Sequence, residues 1–319
     1  MTPPDTAVPT ILDCDPGHDD MVAIILAAAD PRIDLLAITT VAGNGTLEQT
    51  TANARAICSM AGIRDVPIAA GAPGPLVGSL RTAAHVHGES GLDGAELPEP
   101  DGVPLAGEHG VELMARLLRE SAEPITLVPT GPLTNVALLL RTHPGVTGRI
   151  GEIVLMGGSA DVGNVEPLAE FNVYADPEAA DVVFSSGLPV TMCGLNVTHQ
   201  ALATDTVLDR LRALGTPLAD TVVELLGFFR DRYRDLWDLP APPVHDPVPV
   251  ARVIDPTLVR CEDAHVAVEL RGTHTRGATV CDRFGVRGLT PNAKVALELD
   301  APRFWDVVVA AVERLGERR

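Results

Sequence analysis

The chain has 319 residues, 46% of them hydrophobic, so it buries a large core without staples, which excludes a disulfide scaffold, a collagen-like repeat and disorder. Its 24 Lys and Arg against 43 Asp and Glu leave a formal charge of −19, which argues against a nucleic-acid or anionic-membrane partner. Lysine occurs only at Lys294, so no G-x-x-x-x-G-K phosphate loop exists and only one Schiff-base candidate remains.

The elements alternate along the chain. Thr10 to Leu12 reads as a short strand, Asp19 to Ala29 as a helix, Ile33 to Val41 as a strand and Leu47 to Met60 as a helix. Val66 to Ala70 is a strand, and residues 108–121 are helical, with Val111, Met114 and Leu118 at i, i+3 and i+7. Ile125 to Val128, Ile153 to Met156 and Val190 to Cys193 are strands, separated by helices over 133–141 and 177–186. Strands alternating with helices predict βαβ units and an open, mainly parallel α/β sheet flanked by helices. After His199, helices are expected over 204–214, 218–235 and 247–254, with a break at Pro240 to Pro243. Residues 265–270, 278–281 and 295–299 then alternate like antiparallel strands, and 304–315 closes with a helix. No repeat or linker interrupts this pattern, so residues 1–319 read as one domain.

Between Arg81 and Arg116 the chain carries seven acids, no Lys or Arg, and repeated Gly and Pro. Such a long loop is a cover over a site or merely a mobile segment. The five cysteines, Cys14, Cys58, Cys193, Cys261 and Cys281, lie far apart with no C-x-x-C, which points to a reducing compartment. The amino terminus shows no basic and apolar leader, and the longest apolar run, Met21 to Ala29, is about half of the ~20 residues a membrane span needs. A soluble, cytoplasmic protein is expected.

The densest chemical signal is Asp13-Cys14-Asp15-Pro16-Gly17-His18-Asp19-Asp20, between the first strand and the first helix. Gathered carboxylates repel one another unless solvated or neutralised. Helix capping and a strand-end acid account for two or three of the four. They leave unexplained a Pro-Gly turn that would gather the acids at the carboxyl edge of a parallel sheet, where open α/β sheets bind ligands. A hard cation, Ca²⁺ or Mg²⁺, is the natural neutraliser. A second tract, Gly163-Asn164 with Glu170-Phe171-Asn172 and Asp176-Pro177, reads as a hydroxyl clamp from Asn164, Glu170 and Asn172, with Asp176 a helix cap. A third, Val244-His245-Asp246-Pro247, is by its spacing more often a turn than a site. Gly43-Asn44-Gly45 fails the dinucleotide fingerprint because position 48 is Glu, and His85 with His87 lacks metal-ligand company. Neither G-x-S-x-G nor H-E-x-x-H occurs.

Taken together, D-C-D-P-G-H-D-D closely resembles the signature of the nucleoside hydrolases, the inosine–uridine-preferring ribohydrolases. The likeness continues in order through A-I-T-T-V-A-G-N, H-V-H-G-E-S-G, L-V-P-T-G-P-L-T-N, V-L-M-G-G, A-E-F-N-V-Y-A-D-P-E-A-A, N-V-T-H-Q-A-L-A-T and V-H-D-P, over roughly residues 10 to 310. It implies the family's fold, with a Rossmann-like core, and hydrolysis of the N-glycosidic bond of inosine, uridine and related ribonucleosides. By the same resemblance a Ca²⁺ ion is held by Asp15, Asp20, the Thr130 carbonyl and Asp246, with a water and two ribose hydroxyls completing its shell. Asp15 is the implied general base, Asp19 the partner of the ribose 2′-OH, and Asn44 lies beside the water. Asn164, Glu170 and Asn172 would grip the sugar, with Met156 and Phe171 beside them and Asp13 supporting the cluster. His245 is the implied acid at the leaving base, an imidazole expected to titrate near neutrality. His87 sits on the covering loop, and Tyr233, ahead of Phe229, is the candidate to stack on the base. His245 points to the branch that accepts both inosine and uridine, and a homodimer or homotetramer is implied.

The chemistry fits, because an oxocarbenium-like sugar asks for nearby negative charge, an activated water and help for the departing base. Two rival readings are a nucleoside-binding protein without turnover and a Mg²⁺-dependent phosphohydrolase. The presence of Asp15, Asn172 and His245 speaks against the first, and the near-absence of Lys against the second.

Overall fold

The computed structural model describes residues 7–100, 102–239 and 241–317, so the amino-terminal reading and Pro240 fall outside the described residues. Strand β1 (Val8–Cys14) turns through Asp15-Pro16-Gly17 into helix α1 (His18–Ala29), followed by β2 (Ile33–Thr40), α2 (Leu47–Met60) and β3 (Ile68–Ala70). A long loop carrying the single turn α3 (Ala84–His87) leads to α4 (Gly110–Glu120), β4 (Ile125–Pro129), α5 (Thr134–Thr142) and β5 (Ile150–Met156). The short α6 (Phe171–Ala175) and α7 (Pro177–Phe184) precede β6 (Val190–Cys193) and α8 (Leu195–Thr198). Helices α9 (Asp205–Arg212), α10 (Pro217–Trp237) and α11 (Pro247–Ile254), strands β7 (Val259–Val268), β8 (Thr279–Asp282) and β9 (Ala293–Leu299), and α12 (Ala301–Gly316) complete the chain.

Local chemistry sets the helix starts. Thr46 caps α2 and the Gln49 side chain returns a bond to the Thr46 N–H at 2.9 Å, a reciprocal capping box. Asp176 caps α7 through the Ala179 N–H at 3.1 Å, with Pro177 in the first helical position. At α1 the Asp20 carboxylate accepts the Gly17 N–H at 3.0 Å, so one acid of the first motif serves as a cap.

The sheet has nine strands in the order β3-β2-β1-β4-β5-β6-β9-β7-β8. β1 to β6 are parallel, as the alternating pattern predicts. The three carboxyl-terminal strands need a correction. β7 is antiparallel to β8 and to β9, but β9 joins the main sheet parallel to β6, with Met192 opposite Val295. Alternation reveals which side chains face the core but not which way a strand runs, and β9 is reached through the antiparallel β7, so its direction is restored. The first half of β7 was also missed, because Arg260, Glu262 and Asp263 break its apolar alternation.

Along β1, Leu12 and Cys14 join one apolar cluster and Ile11 the other, so the core lies on both faces of the sheet. α1 is buried along almost its whole length, between the sheet and the layer of α10, α11 and α12. This accounts for an apolar run in which a helical stripe is barely visible. Among the described residues no helix is long and apolar enough to cross a membrane. The acidic loop is fastened down. Gln49, Asn53 and Ser59 on α2 donate to the carbonyls of Glu89, Ser90 and Glu99 at 2.9 to 3.1 Å, and Leu92 and Val103 enter the core.

Candidate active site

The parallel strands end level with one another, with Cys14 beside Thr40, Asp13 beside Pro129 and Met156 beside Cys193. The residues just past these ends therefore meet at one carboxyl edge. They line a cleft of about 610 Å³ whose walls include Asp19, Asn44, His87, Thr130, Met156, Asn164, Glu170, Phe171, Asn172, Tyr233, His245 and Asp246. Asp13, Asp15 and Asp20 lie beneath this wall, fully buried.

Each acid is held differently. Asp13 accepts from the Thr39 hydroxyl at 2.6 Å and the Asn135 amide at 2.8 Å. Asp15 accepts the Asn44 N–H at 2.6 Å, and its own carbonyl accepts the Asn44 side-chain amide at 3.1 Å. A Cβ on Gly43 or Gly131 would stand 2.1 or 2.5 Å from the Asp15 oxygens, so only glycine leaves room for this carboxylate. Asp20 accepts from Gly17 and, at 2.8 Å, from the Thr130 hydroxyl. One oxygen each of Asp13, Asp15 and Asp19 is buried with no hydrogen-bond partner among the described residues.

Ligand atoms of Asp19, Asp20 and Asp246 lie within 4.8 Å of one another. Burial first, and then mutual repulsion, pushes Asp15 and Asp246 well above the ordinary carboxylate range and Asp19 to about 7. Burial likewise raises Asp13 and Glu170 to about 7. A buried all-oxygen cluster with unpartnered lone pairs and no basic side chain among its partners fits a hard cation. Of these acids Asp19 and Asp246 reach the cleft wall, while Asp20 and Asp15, the latter in its glycine cradle, lie beneath it.

One wall of the cleft is built on α6. Glu170 caps this helix, accepting the Asn172 and Val173 N–H groups at 2.8 and 3.1 Å and the Gly158 N–H at 2.8 Å. The Asn172 amide donates to the Thr130 carbonyl at 2.7 Å and also reaches Met156, tying β4, β5 and α6 together. Asn164 accepts the Phe171 N–H at 2.9 Å. These contacts hold Asn164, Glu170 and Asn172 on one wall.

At the opposite end His245 is buried, with Nδ1 2.7 Å from the Thr198 hydroxyl and Nε2 3.2 Å from the Tyr233 hydroxyl. Burial, with a smaller contribution from His199, depresses its pKa to about 3. The expectation of an imidazole titrating near neutrality is therefore corrected, since the ring is enclosed and has no carboxylate partner. Tyr233 meets Phe229 edge-on at 4.8 Å, and both line the cleft. His87 stacks on the buried His18 at 5.4 Å, and their Nδ1 atoms are 3.1 Å apart.

Sequence reasoning missed several members of this site. α8, too short to show a period, carries the unread Thr198, whereas His87 on α3 and Asn172 on α6 were named although those short helices were not read. Val86 and Val165 also line the cleft. His18, stacked on His87, lies inside the first motif among four acids that mask it in the sequence.

A family model described as inosine-uridine preferring nucleoside hydrolase matches residues 10–306. The chain is 50% identical over 306 residues to a pyrimidine-specific ribonucleoside hydrolase of Shewanella woodyi, covering 96% of this chain and 98% of the relative. It is 49% identical over 309 residues to the pyrimidine-specific ribonucleoside hydrolase of Photobacterium profundum, covering 97% and 98%. Among solved structures, a purine-preferring ribonucleoside hydrolase from Gardnerella vaginalis superimposes with a TM-score of 0.90 at 34% identity, covering 97% and 99%.

Proposed function

This chain belongs to the inosine-uridine preferring nucleoside hydrolase family and is a ribonucleoside hydrolase, and from that premise we propose that it uses Ca²⁺ to hydrolyse pyrimidine ribonucleosides to ribose and free base. The observation that carries this reading is the buried carboxylate cluster of Asp19, Asp20 and Asp246, opening beside the wall of Asn164, Glu170 and Asn172. The relatives near 50% identity are named pyrimidine-specific, whereas the purine-preferring structure is 34% identical. This favours uridine and cytidine over the broader inosine–uridine range.

Asp15, Asp20 and Asp246, with Asp19 and the Thr130 carbonyl, would hold the cation. When bound it neutralises their charge and supplies an acidified water and anchorage for ribose hydroxyls. Asp15 would accept a proton from the attacking water at its unpartnered oxygen, while the Asn44 N–H fixes the other oxygen. Asn164, Glu170 and Asn172 orient the sugar, so that binding energy remote from the scissile bond positions the reacting carbon. The carboxylates also provide the negative charge that an oxocarbenium-like sugar requires.

His245 works as a neutral imidazole. The Thr198 and Tyr233 hydroxyls stand at its two nitrogens and fix the ring, so that His245 and Tyr233 would stabilise the charge on the departing base by hydrogen bonding, its proton coming finally from solvent. A cytoplasmic homodimer or homotetramer is part of this proposal, and the five free thiols suit a reducing compartment. A reducing-sugar assay on uridine, cytidine, inosine and ribose 5-phosphate, with chelator and then added Ca²⁺, tests the reading. Metal-independent release, or preference for inosine, contradicts it.

A further inference from the structure

A second cleft, of about 1580 Å³, opens between residues 77–81, ahead of α3, and residues 271–276, between β7 and β8. In a chain with 43 acids against 24 bases, this cleft gathers Arg81, Arg271, Arg276 and His274. Arg276 is paired with Glu178 at 2.8 Å. Arg81 lies over the Tyr174 ring, 4.7 Å from its centroid, and forms no ion pair among the described residues. Arg271 forms none either. The Glu269 carboxylate, which feels the Arg271 charge, accepts through Oε1 the backbone N–H groups of Arg271 and Gly272 at 2.7 and 2.9 Å. The acid that lines the cleft, Glu166, is engaged by the Tyr174 hydroxyl at 3.3 Å. The backbone N–H groups of Gly78, Ser79, Thr273 and His274 have no acceptor among the described residues.

The cleft is held firmly. Gly277 has φ +84°, and a Cβ there would stand 2.9 Å from the Tyr174 Cα, so the β7–β8 turn sits flush against α6. Stacking on Tyr174 leaves the edge donors of Arg81 free. Planar arginine forks and open backbone N–H groups match the oxygens of a tetrahedral oxyanion.

We propose that this cleft is a binding site for a dianionic phosphate group, carried by inorganic phosphate or by a phosphate monoester such as a nucleotide. It is separate from the nucleoside site but shares a wall with it. Asn164 and Val165 line the nucleoside cleft, and the next two residues, Glu166 and Pro167, line this one. The proposal does not depend on the identity of the nucleoside substrate.

Isothermal titration of the full-length protein with inorganic phosphate, and separately with uridine 5′-monophosphate, tests it. Saturable binding of one equivalent is expected. Tighter binding of the nucleotide identifies an ester as the ligand, and equal binding identifies the phosphate group alone. Loss of a charge-assisted bond predicts weakening of roughly tenfold or more in each of Arg81→Gln and Arg271→Gln. Arg271→Lys, which keeps the charge but not the fork, should fall between. Both arginines are exposed, so melting temperature and uridine hydrolysis should stay at the parental level. Absence of saturable binding overturns the proposal, as does unchanged phosphate affinity in the Arg81→Gln, Arg271→Gln double variant. A change of molar mass in light scattering with phosphate affinity unaltered also overturns it, and marks the cleft as a contact between copies of the chain.

Discussion

Removing the cation should make the stability of this protein strongly pH-dependent. Two carboxylates within 4.8 Å of each other repel by about 3.5 kcal/mol or more at an effective dielectric constant of about 20. Without a cation, Asp19 escapes that cost by staying protonated, with its pKa pushed to about 7 by burial and by Asp20. An acid with a raised folded-state pKa binds its proton more tightly in the native chain than in the unfolded one. Its penalty is thus absent below the unfolded value near 4 and grows as pH rises to about 7. Each pH unit in that window costs about 1.4 kcal/mol per group, so the step from pH 5 to 7 costs about 2.7 kcal/mol. With an unfolding entropy of about 2.1 cal/mol/K per residue, this lowers Tm by about 4 °C for that one group. Ca²⁺ bound to the ionised cluster would remove this penalty, so the Ca²⁺-induced gain in Tm should be larger at pH 7.5 than at pH 5.5. Differential scanning calorimetry at both pH values, with chelator or excess Ca²⁺, measures the difference. An equal Ca²⁺ shift at the two pH values, or no shift, refutes the reasoning.

Three further outcomes follow from the geometry. Gly131→Ala places a methyl 2.5 Å from the Asp15 carboxylate, so kcat should fall by about 10²-fold or more through displacement of the general base, while the protein remains folded by circular dichroism. Asn172→Ala should lower kcat/KM for uridine and inosine by similar factors, about tenfold or more, if Asn172, which bridges Thr130 and Met156, grips the shared ribose as proposed; steady-state kinetics showing loss on one nucleoside alone would remove it from that role. His245→Ala should lose about 10²- to 10⁴-fold in kcat on uridine yet cleave an aryl riboside with a good leaving group almost as well as the parent. Because burial holds His245 neutral down to about 3, the pH–rate profile of the parent should show no His245 limb near 6.5, and a limb there that vanishes in the variant contradicts the buried, neutral assignment.

What was legible in the sequence was local. The β1 to β6 alternation, the helix from Leu47 to Met60 and the Pro-Gly turn after Asp15 are short-range patterns. Helix period, turn chemistry and capping act over a few residues, and so they appear in a linear string. The ordered motifs carried the family likeness for the same reason. Tertiary structure alone decided what depends on distant neighbours. Asp246 meets Asp19 and Asp20 only because α11 packs on α1, and the Thr130 hydroxyl reaches Asp20 only because β4 lies beside β1. The direction of β9 was likewise invisible, since alternation is the same whichever way a strand runs. Nor does the string record desolvation. His245 looks like an ordinary surface imidazole beside an acid, and it is the enclosure by Tyr233, Thr198 and their helices that holds it neutral. Burial is a property of the assembled fold, so the protonation states on which this chemistry turns exist only after the chain has closed around them.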